Sequence, residues 1–277
     1  MWRQRPDAQE SARKMWDCLG RQLSESWTLK PAAWLLRMAS AFQGTGLQRP
    51  AGGADDGEAG TASEWANVIS AIREAVEKNH LQSADPGLVP MCMALVEVPD
   101  PQSLAILEKI EKEHPSRKAQ GIAALGLSML LKTLGDEGDV MRRRLSMLRK
   151  AIIESAEIEL DGVTVAKIAE DELYVISHLS KGRVAPELSG ADVAGRTMKL
   201  SAYKGKVVVL LFWATWNGDV DQLLTMADKL REKNREKPFE LVGVNSDTTG
   251  TLRQLVAGGE VKWPNFSDPD RKLAAEY

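Results

Sequence analysis

The sequence predicts an all-helical N-terminal region followed by an α/β domain. Three observations carry this reading. From about residue 8 to residue 180, apolar residues recur at three- and four-residue spacing, the pattern of helices that bury one stripe. The run Val207–Trp213 is seven apolar residues without interruption, which reads as a strand buried on both faces. A helical stretch then leads to a second apolar run, Phe239–Asn245, and strand, helix, strand in that order makes a right-handed parallel unit.

Composition narrows the function classes. The chain has 277 residues, 43% hydrophobic and 27% charged, with a formal net charge of -3. That balance is ordinary for a globular protein and argues against a general nucleic-acid binder, which carries excess positive charge. No apolar run approaches the ~18 residues of a membrane span. The first residues, Met1–Asp7, are polar and arginine-bearing, so no export signal is expected in this chain. The two cysteines, Cys18 and Cys92, form no C-x-x-C pair, and the three histidines, His80, His114 and His178, are scattered. No metal site and no cofactor are expected from this pattern.

Taken in order, residues 1–43 read as N-terminal helices. Ala12, Met15, Trp16, Leu19 and Leu23 fall at helical spacing, and Pro31 opens a second segment with Trp34, Leu35 and Met38. Cys18 lies beside the first stripe and is expected to be semi-buried. Residues 44–62, glycine-rich with Pro50 and Asp55-Asp56, read as a mobile linker.

Residues 63–181 read as a helical domain. Thr61 and Glu64 have capping-box spacing, with Ser63 as an alternative cap, before the stripe Trp65, Val68, Ile69, Ile72 and Val76. Cys92, between Met91 and Met93, is expected to be a buried, inert thiol. Asp100-Pro101 starts a helix that His114-Pro115 stops. Ser116 is the expected cap of the next helix, whose Gly121, Ala123, Ala124 and Gly126 allow close packing. A helix from about Val140 to Ser155 follows, and its Arg142-Arg143-Arg144 run is read as a solvated face. Asp161-Gly162 marks a small hairpin, and the helix after it carries His178 in its last turn and ends at Gly182.

Residues 182–277 form the α/β domain. The pieces 185–188, 192–196 and 198–200 read as an edge hairpin leading to the strand at Val207. Asn217-Gly218-Asp219 follows Trp213-Ala214-Thr215-Trp216 and reads as a helix cap with an acidic first turn.

At this point the residues resemble a known family. Ala185-Pro186, Gly190, Asp192, Gly195, Leu200-Ser201, Tyr203, Gly205-Lys206-Val207-Val208, Phe212-Trp213-Ala214-Thr215-Trp216 and Gly243-Val244-Asn245-Ser246-Asp247 are similar in order and spacing to the thioredoxin-like redoxins of the AhpC/TSA and TlpA/ResA type. The helices before them are similar to helical parts that precede such domains in some bacterial proteins. The resemblance implies a thioredoxin-like fold and thiol–disulfide exchange or antioxidant peroxide reduction. It also places Trp-Cys-Gly-Pro-Cys where this chain has Trp216-Asn217-Gly218-Asp219-Val220, so Asn217 and Val220 stand at the two cysteine positions. Neither side chain forms a thiolate or a resolving thiol.

The family pattern continues with a cis-proline loop, two strands and a closing helix. Trp263-Pro264 precedes the place of that loop, and the chain stops at Tyr277. The thioredoxin-like domain is therefore expected to be incomplete, a fragment or a decayed copy, with an unpaired edge beside its central strand.

Three functions follow. The first is a redoxin domain that is not catalytic by its own thiols and serves as a binding or scaffold module, holding a protein or peptide partner beside Trp216, Asn217 and Gly218. The second is an oxidoreductase that recruits Cys18, Cys92 or partner thiols. The third is a helical protein-interaction module with a vestigial redoxin domain. Nucleic acid and a membrane span are not expected as partners. Relatives of this type are often exported to the periplasm or cell envelope, which leaves the compartment open.

Overall fold

The computed structural model describes residues 8–42, 56–135 and 137–277, with residues 56–63 described by backbone alone. Met1–Asp7 and residues 43–55, which hold most of the predicted linker, lie outside the described residues. The chain divides into two units, Met1–Ile176 and Ser177–Tyr277.

The first unit is helical. Its helices are α1 (Ala8–Leu19), α2 (Leu29–Phe42), α3 (Asp56–Ala75), α4 (Leu88–Val96), α5 (Pro101–Glu113), α6 (Arg117–Lys132), α7 (Gly138–Ser155) and α8 (Val165–Tyr174). Helix α3 begins at Asp56, so Thr61 and Ser63 sit inside it rather than at its start, and 56–62 is helix rather than linker. The sequence there explains the early start: acidic Asp56 and Glu58 suit the positive helix end, and Ala59 and Ala62 are good helix formers. Arg13 of α1 donates a forked pair of bonds to Glu64 at 2.9 and 3.1 Å, tying the first helix to α3.

Helix α6 is the centre of the unit. Every residue from Gly121 to Ser128 is buried, as expected for a helix enclosed by neighbours, and it packs against α4, α5 and α7. Its glycines set the approach distances. A Cβ at Gly121 would overlap Ser155 Oγ on α7, and one at Gly126 would sit 3.2 Å from the Leu107 side chain and 3.3 Å from that of Val96. Ser155 Oγ in turn donates to Lys118 O at 2.8 Å, so the close crossing is also hydrogen-bonded.

The helix ends follow local chemistry. Asp100 caps α5 by accepting from Ser103 N at 2.8 Å, with Pro101 at the first helical position. Ser116 stands at the predicted N-cap of α6 but its side chain makes no capping bond. Instead its N–H donates to His114 Nδ1 at 2.9 Å, and the other ring nitrogen, Nε2, donates to Ser83 O at 3.0 Å. His114 is thus a helix-end residue with both nitrogens engaged. His80 is likewise buried and donates from Nε2 to Leu23 O at 2.6 Å.

The arginine run on α7 is not a uniformly solvated face. Arg142 pairs with Asp139, Arg143 with Glu108, and buried Arg144 with Glu172 at 3.0 Å. The predicted hairpin is present as β1 (Glu159–Leu160) and β2 (Val163–Thr164). Asp161 (φ 51°) and Gly162 (φ 85°) occupy the two left-handed positions that a tight type I′ turn demands.

The second unit is built on a three-stranded parallel sheet. Its elements are β3 (Ser189–Ala191), β4 (Thr197–Lys199), β5 (Val207–Trp213), α9 (Val220–Lys233), β6 (Phe239–Asn245), α10 (Thr249–Ala257) and β7 (Asn265–Ser267). The sheet order is β5-β6-β7, with Val207 opposite Phe239 and Trp213 opposite Asn245. The most buried strand is therefore β6, whose residues 241–245 are all inside. Strand β5 has one strand neighbour among the described residues and is half-buried along most of its length, against the expectation of burial on both faces.

Side chains alternate between two cores. Val209, Leu211 and Trp213 join Leu241, Ala227, Leu252 and Trp263 on one face. Val208 and Leu210 join Leu188, Val242, Val244 and Phe266 on the other. The hairpin at the start is β3 with β4, antiparallel, so 185–188 is not a strand and 192–196 is the turn. Asp192 makes that turn: its carboxylate accepts from Ala194 N and Arg196 N, each at 2.8 Å.

Candidate functional site

The carboxyl ends of β5, β6 and β7 and the loops that leave them form the best-organised polar region of the second unit. Loops at this end of a parallel sheet are the usual place for a ligand, because side chains from several strands converge there.

Asp247, just past β6, holds the β5 loop. It is 5% exposed, and its carboxylate accepts from Thr215 N at 2.9 and 3.1 Å and from Thr215 Oγ1 at 2.7 Å. Asn245, fully buried, donates to the same carboxylate at 2.8 Å and accepts from Asp247 N at 3.1 Å. A buried carboxylate needs this many donors to offset its lost hydration. The network therefore fixes Ala214-Thr215-Trp216 relative to the sheet.

A second network lies one strand over. Trp213 Nε1 donates to Asn265 Oδ1 at 2.9 Å, and Asn265 Nδ2 donates to Trp263 O at 2.7 Å. Gly243 makes room for it: a Cβ there would overlap Asn265 Oδ1 and lie 2.9 Å from Trp213 Nε1. Trp213 is core, as its place at the end of an apolar strand predicts.

Trp216 is 61% exposed. The Arg271 guanidinium lies 4.7 Å from its ring centroid, a cation–π contact between the loops after β5 and β7. Arg271 holds a left-handed backbone, φ 56°, uncommon for a residue other than glycine. The turn is secured by Asp268, which accepts from Leu273 N at 3.2 Å and Ala274 N at 2.9 Å.

The structure places the other residues of the loop as follows. Asn217 is exposed and is not the helix cap; its N–H donates to Ala214 O at 3.2 Å in the turn before α9. Gly218 has open space where a side chain would stand. Asp219 occupies the N-cap position with no side-chain capping bond, because its φ, ψ of -96° and 41° depart from the extended geometry that a cap adopts. Val220, the first helical residue, is half-buried against the core that holds Trp213 and Leu241. Trp216, Asn217 and Gly218 are thus brought together on one exposed turn, while Val220 points into packing.

The two cysteines belong to the helical unit. Cys92 is fully buried on α4 and burial pushes its thiol up to about 12, so it forms no thiolate near neutral pH. Cys18 is exposed on α1, against the expectation of a semi-buried residue, because it lies on the solvent side of the Ala12–Leu19 stripe. Among the described residues no three His, Cys, Asp or Glu side chains gather as metal ligands. No helix among them is long and apolar enough to cross a membrane.

Residues 181–277 match the model of the AhpC/TSA family. The C-terminal part of this chain is a thioredoxin-like redoxin domain. Its curated relatives agree with that. The thiol-disulfide oxidoreductase ResA of Bacillus cereus is 29% identical over 97 residues, covering 35% of this chain and 56% of the relative. The chloroplastic peroxiredoxin Q of Triticum aestivum is 29% identical over 105 residues, covering 37% of this chain and 48% of the relative. The chain thus spans about half the length of the curated relatives it matches. Among solved structures, a thioredoxin-like protein from Bacteroides caccae is 17% identical with a TM-score of 0.37, covering 84% of this chain and 87% of that one.

Asn265 and Arg271 of this redoxin domain were not singled out by sequence reasoning. A polar residue at the end of a short strand and an arginine in a turn carry no local pattern. The alternation Gly243-x-Asn245-x-Asp247 at the end of an apolar strand is the one signal that marks the site.

Proposed function

We propose that the redoxin domain has no thiol chemistry of its own and acts as a binding or scaffold module for an extended protein segment. The observation that carries this is the turn after β5. Asn217 and Val220 stand at the family's two cysteine positions, and the whole stretch from Gly182 to Tyr277 has no cysteine. Thiol–disulfide exchange needs a thiolate at the first position and a thiol to resolve the mixed disulfide at the second. An amide and a half-buried valine supply neither.

What remains is a surface suited to holding a peptide. The turn offers the exposed Trp216 ring, the uncrowded backbone at Gly218 and the exposed Asn217 side chain. An amide both donates and accepts hydrogen bonds, which matches a peptide backbone. The Asp247 and Asn245 network makes the turn rigid, so little ordering cost falls on binding. The relatives, a thiol-disulfide oxidoreductase and a peroxiredoxin, are named for thiol chemistry in those proteins. Here Cys92 is unsuited to such a role by burial, which leaves exposed Cys18 or the thiols of a partner for the alternative reading.

The test is isothermal titration of the full chain with carboxymethylated insulin B chain, an extended peptide that cannot exchange disulfides. Measurable binding that weakens about tenfold in Trp216→Ala is expected, a typical loss for an aromatic contact. Equal affinity in wild type and Trp216→Ala removes this turn as the binding site.

A further inference from the structure

The helical unit carries a half-open apolar cleft of about 180 Å³ between the start of α5 and the end of α6. Pro99, Pro101 and Leu104 form one wall, and Leu130, Thr133 and Leu134 form the other. The Thr133 hydroxyl donates to Leu130 O at 2.7 Å, so it is already engaged within the wall. An apolar cavity of about 150 Å³ holds a benzene ring. The cleft therefore has room for one aromatic side chain. Leu134 is 60% exposed, and a ring in the cleft covers that apolar area.

Asp100 is the charged residue of the lining. One carboxylate oxygen accepts from Ser103 N at 2.8 Å and the other pairs with Arg73, so the group is held in place. Its side chain is still 34% exposed, and a carboxylate has further acceptor sites for a ligand. The rim is acidic as well. Segments 96–104 and 133–139 hold the acidic residues Glu97, Asp100, Glu137 and Asp139 and contain no lysine or arginine. Arg37, Arg73 and Arg142 pair with Glu97, Asp100 and Asp139. Lys132, in the last turn of α6, pairs with Glu172 at 2.8 Å. These cations are matched, and the rim keeps a net negative charge, to which the C-terminal end of α6 adds.

We propose that this cleft anchors a phenylalanine side chain of a protein partner, with lysine or arginine residues beside it in the partner's chain. The ring fills the space between Leu104 and Leu130, and the flanking cations meet Asp100 and Glu137. A lone aromatic amine satisfies Asp100 but leaves the wider acidic rim unmatched, so the charges favour a peptide segment. The inference does not rest on the proposed site at Trp216, which belongs to the other unit.

Methyl NMR of the full chain tests it, because an aromatic ring shifts the methyl resonances that it stacks on. The probe is the capped pentapeptide Lys-Lys-Phe-Lys-Lys. Saturable shifts at the Leu104, Leu130 and Leu134 methyls are expected, and none with Lys-Lys-Ala-Lys-Lys. Glu-Glu-Phe-Glu-Glu is expected to bind about tenfold more weakly, since it sets like charge against the rim. Leu134→Ser, at an exposed position, is expected to bind the probe about fivefold more weakly with an unchanged circular dichroism spectrum. The proposal is overturned by the absence of shifts at these methyls, by equal affinity for the acidic peptide, or by equal affinity of the Leu134→Ser variant. Phenethylamine binding as tightly as the pentapeptide also overturns it and makes the cleft a small-molecule site.

Discussion

The Asp247 carboxylate takes the Thr215 N–H at 2.9 Å and the Thr215 hydroxyl at 2.7 Å, joining the end of β6 to the loop that leaves β5. Everything exposed on that loop, Trp216 above all, is positioned through this pair. Replacing Asp247 by Ala leaves Thr215 N–H and Asn245 Nδ2 without their buried acceptor. A loss of about 3 kcal/mol in urea unfolding is expected, typical for removing a charged hydrogen-bond partner. Thr215→Val, which deletes the hydroxyl and leaves the backbone bond, is expected to lose about 1 kcal/mol by the same measurement.

Arg271 holds a strained backbone beneath a favourable ring contact. Arg271→Gly relieves the left-handed φ of 56° and loses the stacking on Trp216, whereas Arg271→Ala loses the stacking and keeps the strain. The glycine variant is therefore expected to be about 1 kcal/mol more stable than the alanine variant. Equal stability of the two in urea titrations shows that the backbone there is unstrained.

Gly121 allows α6 and α7 to touch. Gly121→Ala is expected to destabilise the helical unit by about 2 kcal/mol, as overpacking a dense core does. Adding Ser155→Gly removes the Ser155 Oγ and Cβ that the new Cβ meets, leaving Glu154 Cβ at 3.0 Å, so the double variant is expected to be more stable than additivity of the two single losses predicts. Additive losses place the clash elsewhere.

Cys92 ties stability to alkaline pH. Its ordinary value is 9.0 and burial raises it to about 12 in the folded chain. Between those values the unfolded chain releases the thiol proton and the folded chain keeps it, so the unfolded state binds fewer protons and stability falls as pH rises. Below pH 9 the effect is absent, and above about 12 it no longer grows. Cys92→Ala is expected to flatten this part of the stability profile. In the folded chain at pH 8, a thiol reagent is expected to modify one cysteine, Cys18, and both after unfolding.

Much of this fold is legible in the residues. The stripe Trp65–Val76 places helix α3 because a 3.6-residue period has one physical reading, and Asp100-Pro101 and His114-Pro115 mark the two ends of α5. Asp161-Gly162 predicts a turn because few other pairs accept two left-handed positions. The long strand is likewise visible, since an apolar run is a local pattern. What sequence reasoning misses is set by distant atoms. Asn217 looks like a helix cap, yet the Thr215–Asp247 bonds pull the chain into a turn and α9 starts at Val220. Ser116 looks like a cap, yet His114 takes its N–H. Cys18 and Arg144 change sides because burial of single residues depends on which helix packs over them. Asn265 and Arg271 join the site through partners 52 and 55 positions away, Trp213 and Trp216, and no spacing rule reaches that far.

The central claim is that this redoxin domain has no thiol chemistry of its own, and insulin reduction by dithiothreitol tests it most directly. The full chain is compared with a no-protein control and with the Asn217→Cys/Val220→Cys variant. The wild-type chain is expected to follow the control, with Cys18→Ser and Cys92→Ala making no difference. Wild-type turnover above the control contradicts the reading of the chain as a non-catalytic module, and its loss in Cys18→Ser would show the helical unit to be the source of the thiol.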